Sequence, residues 1–111
     1  MSKRMELKKR MRNELSKLDD QVSSHQSRLE NLAELGADHC ESGHRSKAEK
    51  LLGQAEDTLK KAHHCTRVAT PDTVKMFRRH AIAVVAKVRE ADQFMDAFEE
   101  EISPPSTGMT P

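Results

Sequence analysis

The chain has 111 residues and a formal charge of +1, with 33% charged residues, 35% in the AVILMFWYC set, four Gly, four Pro, two Cys and neither Trp nor Tyr. That length holds one small domain, and its apolar share is too small for a broad globular core yet too regularly spaced for a disordered chain. The longest apolar run, Ala81 to Ala86, is far too short to span a bilayer. The opening MSKRMELKKRMR lacks the apolar centre of a secretory signal, and Glu6 with scarce Ser argues against a mitochondrial presequence. Two cysteines without an export signal point to a reducing, cytoplasmic setting.

The first element is a helix over about residues 3–35. Met11, Leu15, Leu18, Val22, His25, Leu29 and Leu32 recur at alternating steps of four and three, a heptad stripe with one polar position at His25. A histidine there reads as a buried polar residue fixing register. Gly36 is expected to end the helix by adopting the left-handed conformation common at helix C-termini.

The second element is shorter, about residues 46–65, with Ala48, Leu51, Leu52, Ala55, Leu59 and Ala62 on one face. Ser46-x-x-Glu49 and Asp38-x-x-Glu41 both fit a capping box, so the helix starts near 38 or near 46, and Gly43 favours the later start. The third element opens at Thr70-Pro71-Asp72: a hydroxyl cap, Pro at the first helical position, then an acid in the first turn. Its stripe of Val74, Phe77, Ala81, Val84, Val88, Ala91, Met95, Phe98 and Ile102 steps by three and four without a slip. Val85 and Phe94 widen it enough to touch more than one neighbour. SPPSTGMTP, residues 103–111, reads as a flexible tail, and its Ser103-Pro104 and Thr110-Pro111 pairs fit proline-directed phosphorylation.

Isolated helices of this kind are unstable, so the stripes must pack together. Short connections favour antiparallel neighbours. The expected fold is therefore all-α: an elongated up-down-up three-helix bundle over residues 1–102 with coiled-coil-like heptad seams. Leu15, Leu18, Val22, Leu29, Phe77, Val84, Val88, Met95 and Phe98 are its central seam residues. The shorter middle helix leaves part of the outer seams uncovered, which predicts a homo-oligomer.

Cys40, His44, His63 and Cys65 invite a zinc reading, since zinc takes about four Cys or His ligands at about 2.0–2.3 Å. The intervening helix holds the two pairs roughly 25–30 Å apart at about 1.5 Å per residue. One chain cannot gather them, a Cys40–Cys65 disulfide fails for the same reason, and only an antiparallel dimer would bring the pairs together. Glu41-x-x-His44 matches half of a di-iron ligand set, but the second half is missing. His80 beside Arg78 and Arg79 is the best candidate for a phosphotransfer histidine, yet no Lys-Gly pair follows it. No phosphate-cradling loop, zincin helix or nucleophile elbow is present. The expectation is a non-enzymatic protein with no metal site and no cofactor.

Charge is the informative feature. Residues 1–12 carry Lys3, Arg4, Lys8, Lys9, Arg10 and Arg12 against Glu6, and residues 60–79 carry Lys60, Lys61, Arg67, Lys75, Arg78 and Arg79 against Asp72, a net of +5 in each stretch. An up-down-up bundle puts both at one end. Glu30, Glu34, Asp38, Glu41, Glu90, Asp92, Asp96, Glu99, Glu100 and Glu101 fall at the other, in stretches without Lys or Arg. Basic residues at a helix N-terminus and acids at a C-terminus oppose the macrodipole by about 0.3–1 kcal/mol each, so the pattern costs local stability and becomes a candidate for function.

The expected role is an interaction or assembly module binding a protein partner through its seams and charged ends. The alternative is a duplex RNA- or DNA-binding protein gripping phosphates with the basic end, which needs only Lys and Arg on rigid helices. Base-stacking recognition of single strands is disfavoured, because Phe77 and Phe98 belong to the seam. An anionic membrane surface ranks lower, since Met1, Met5 and Met11 form only a short apolar face.

Overall fold

The computed structural model describes residues 3–36, 43–67 and 70–102. Three packed α-helices make up nearly all of it: α1 Lys3–Leu35, α2 His44–Cys65 and α3 Pro71–Ile102, with no strand among the described residues. The alternative helix start at Asp38, the Cys40 and Glu41 candidates and the 103–111 tail lie outside the described residues.

Each helix boundary has a local cause. At α3 the Thr73 amide donates to Thr70 Oγ1 at 3.2 Å and the Thr70 amide donates to Thr73 Oγ1 at 2.8 Å. This is a reciprocal cap with a threonine in the place usually held by Glu or Gln. Pro71 then occupies a position whose amide needs no partner. At the end of α2 the Thr66 hydroxyl and amide both donate to the His63 carbonyl, at 2.7 and 3.1 Å.

Two boundaries depart from the sequence expectation. Helix α2 begins at His44, two residues before Ser46, because Gly43 adopts φ 81 and turns the chain directly into the helix. The Lys47 amide donates to the Gly43 carbonyl at 3.0 Å. Ser46 is thus inside the helix, and Glu49, instead of closing a box on it, accepts from Arg45 Nε at 3.0 Å. Gly43, which favoured the later start in sequence, supplies the left-handed turn that begins the helix. At the end of α1, Gly36 is not left-handed; Gly43 is the one glycine with positive φ among the described residues. Gly36 is buried, and a Cβ on it would overlap the Ile102 side chain and come within 3.2 Å of Phe98 Cζ. Its small size serves close approach to the end of α3.

The expected stripes are the core. Met11, Leu15, Leu18, Val22, Leu29 and Leu32 of α1, Ala48, Leu51, Leu52, Ala55, Leu59 and Ala62 of α2, and Phe77, Val84, Val88, Ala91, Met95 and Phe98 of α3 are all buried in one cluster. Val74, Ala81, Val85, Phe94 and Ile102 pack on it half-buried. Cys65 joins this core, and burial pushes its thiol pKa up. Each fully buried Leu, Val, Phe or Met contributes about 1.5–3 kcal/mol. Helices α2 and α3 pack on each other far more extensively than α1 packs on either.

Polar contacts fix how the helices meet. Gln26 donates to Glu56 at 2.7 Å, and His63 lies 3.1 Å from Asp19, so the partner on α2 recedes as α1 advances. His44 lies 3.7 Å from Glu101, and the Lys47 ammonium sits 5.3 Å from the centre of the Phe94 ring, joining the start of α2 to the last turns of α3. The molecule measures 63 × 27 × 18 Å. None of the described helices is long and apolar enough to cross a membrane.

Candidate interaction surface

The first half of α1 and the first half of α3 enclose an open groove of about 550 Å³. Leu7, Met11, Val74, Phe77, Ala81 and Ile82 give it an apolar floor, and Arg10, Lys17 and Arg78 stand along it with Glu14. Close by, Arg12 shares a shallow recess with Asp19, His63 and Thr66, and Lys60, His63, His64 and Arg67 line another. The structure therefore brings Arg10, Arg12 and Arg78 of the candidate basic set to neighbouring surfaces, with Lys60 near the end of α2 and Arg67 just beyond it.

Lys3, Lys9, Lys61, Lys75 and Arg79 are exposed and Lys8 is half-buried, all outside these recesses; Arg4 lies on α1. Lys3, Lys8, Lys9, Arg10, Arg12, Lys60, Lys61, Arg67, Lys75, Arg78 and Arg79 make no ion pair among the described residues. Met11 is buried beneath them, which removes it from the apolar edge that Met1, Met5 and Met11 were expected to offer a membrane.

The acidic end is arranged differently. Arg28 of α1 reaches across to α3, where it hydrogen-bonds Asp92, Asp96 at 2.8 Å and Glu99 at 3.0 Å. The bond to Asp96 holds its guanidinium above the ordinary pKa, Glu99 and Asp92 add to this, and burial works against it. His25 belongs to the same cluster. It is half-buried, with Nδ1 2.7 Å from the Gln21 carbonyl and Nε2 3.5 Å from Asp92. The expected buried register residue is instead a rim residue, because its ring turns toward the carboxylates on α3.

The start of α2 adds Arg45, Lys47 and Lys50 near this end, with Lys47 and Lys50 lining a recess beside Glu90 and Phe94. The expected block of ten unopposed acids is thus partly neutralised by cations from just outside the windows counted in sequence. Arg28 stands two residues before the first window, and nothing in its spacing reveals that it bridges to α3. Lys17, which stands along the groove and pairs with Glu14 at 4.0 Å, falls outside the basic window of residues 1–12.

No three His, Cys, Asp or Glu side chains among the described residues gather as a metal would require. His80 is half-buried on α3. A scan against protein-family models finds no match, and comparison with curated proteins and with solved structures finds none either.

Proposed function

We propose that the protein is a non-enzymatic helical interaction module: an up-down-up bundle with heptad seams whose basic end docks an acidic partner. One observation carries this reading. Eleven Lys and Arg side chains around the first half of α1, the end of α2 and the start of α3 have no ion-pair partner among the described residues, whereas Arg28 near the other end holds three carboxylates. Unpaired like charges repel one another and raise the local potential, a cost recovered when an anion arrives. The up-down-up arrangement is supported by the Asp19–His63, Gln26–Glu56, His44–Glu101 and Arg28–Asp96 contacts taken together.

Duplex nucleic acid is the second reading, favoured by the same cations being mounted on rigid helices. One titration separates the two. A fluorescent Glu-rich helical peptide and a fluorescent RNA duplex are each added at low and at physiological salt, to wild type and to Arg78→Glu/Arg79→Glu. The module reading expects peptide binding that the folded double variant weakens at least tenfold. Tight duplex binding with a steep salt slope and no peptide binding transfers the function to nucleic acid. Equal binding of both probes by wild type and variant removes Arg78 and Arg79 from the role.

A further inference from the structure

We infer that the outer α1–α3 face binds a second copy of the chain running in the opposite direction, with the Leu35 of each copy seated in the Leu7–Ile82 groove of the other. This rests on the interaction-module reading and gives the acidic partner an identity.

The groove is apolar where a soluble surface should be polar: Ile82 at its wall is 70% exposed. Leu35, at the other end of the same face, is 77% exposed. It lies one heptad beyond Arg28, and residues seven apart share a helix face to within about 20°. Arg28 marks that face as the one turned to α3, because it holds Asp92, Asp96 and Glu99.

One register satisfies both chemistries. Placing Leu35 opposite Leu7 of a reversed copy sets Gln21 opposite its own counterpart and Arg28 opposite Glu14. Arg28 brings three carboxylates and one guanidinium to that level. Glu14 lies among Arg10, Lys17 and Arg78, three cations to one carboxylate. The offset from apolar contact to charged contact is seven residues, about 10 Å, in both directions.

A negative cluster therefore meets a positive one wherever leucine meets groove, and each contact occurs twice about the Gln21 axis. Such a self-complementary face closes as a dimer and leaves no open end to grow. Two helices wide and about 48 Å long, the face offers on the order of 900 Å², against roughly 800 Å² buried per partner in stable complexes.

The test is the mass in solution of the full chain by sedimentation equilibrium at tens of micromolar, at low and at about 0.5 M salt. Wild type, Leu35→Asp/Ile82→Asp, Arg10→Glu/Arg78→Glu and Asp96→Lys/Glu99→Lys are compared. The altered residues are exposed, and helicity confirms that each variant is folded. The expected result is a wild-type dimer that salt weakens, three variants at least tenfold weaker, and recovery of the dimer when the two charge-reversed variants are mixed.

A monomeric wild type, a dimer indifferent to all three variants, or an open-ended series of larger masses overturns the inference. Titration of the same samples with the Glu-rich peptide separates the two failures. A monomer that binds the peptide leaves the module reading standing, and a monomer that ignores it removes both.

Discussion

Arg28 and Arg78 both stand at the junction of α1 and α3, one toward each end of the molecule, in opposite surroundings. Arg28 is folded into its own protein, with three carboxylates of α3 around it and less than a third of its side chain exposed. Arg78 stands beside an apolar groove among cations, without an ion pair among the described residues. The same residue type thus does two jobs: at one end it closes the α1–α3 contact, and at the other it leaves charge and apolar surface available. The difference teaches that net charge along the sequence is a poor guide to free charge. What counts is whether a neighbouring helix supplies the counterion.

Both ends depend on one core, so the largest effect comes from breaking that core. Val84 is fully buried, and Val84→Asp buries a carboxylate without a partner. Loss of cooperative helical structure in circular dichroism is expected; a folded variant would show that α3 is rotated from the packing described. Next is Gly36→Ala at the acidic end, where the added methyl must displace Ile102 and Phe98. The expected loss is about 1–3 kcal/mol by urea denaturation, and a neutral result would mean that the end of α3 yields freely.

Arg28 and Arg78 themselves sharpen the comparison. Arg28→Ala should cost about 1 kcal/mol, because its partners are half exposed and screened, and the cost should shrink as salt rises. Arg78→Ala should stay within about 0.5 kcal/mol of wild type. Equal effects would erase the distinction between the ends.

The smallest effect concerns Cys65. Its folded thiol pKa is raised by burial, so the unfolded chain releases the proton first as pH rises. The stabilising contribution is therefore complete below the ordinary thiol range of about 8.5 and is lost as pH climbs through the raised folded value. Cys65→Ala should remove that alkaline decline from urea-denaturation curves recorded across pH 8–10; an unchanged decline would assign it to other groups.

Much of the architecture was legible because periodic burial writes itself directly into spacing. Thr70-Pro71 announces α3, and the core of all three helices follows their stripes. What stayed hidden depends on distance across helices. Gly36 does follow the last residue of α1, but the packing reason for it stayed hidden because its contact, Ile102, lies 66 positions away. Gly43 pointed to the later start of α2, but its positive φ directly before His44 was not visible in the sequence. The burial of Cys65 stayed hidden because it depends on what the last turn of α2 packs against. The basic set was visible as composition, but that eleven of its side chains make no ion pair among the described residues was not. The groove that joins Leu7 to Ile82 needs α1 and α3 side by side before it exists.

The most direct test of the difference between the ends is an amide ¹H–¹⁵N chemical-shift map of the ¹⁵N-labelled protein titrated with the Glu-rich helical peptide at low salt. The largest shifts are expected in residues 7–17, 60–67 and 74–82. Shifts absent from those three stretches, or spread evenly over the chain, would contradict this.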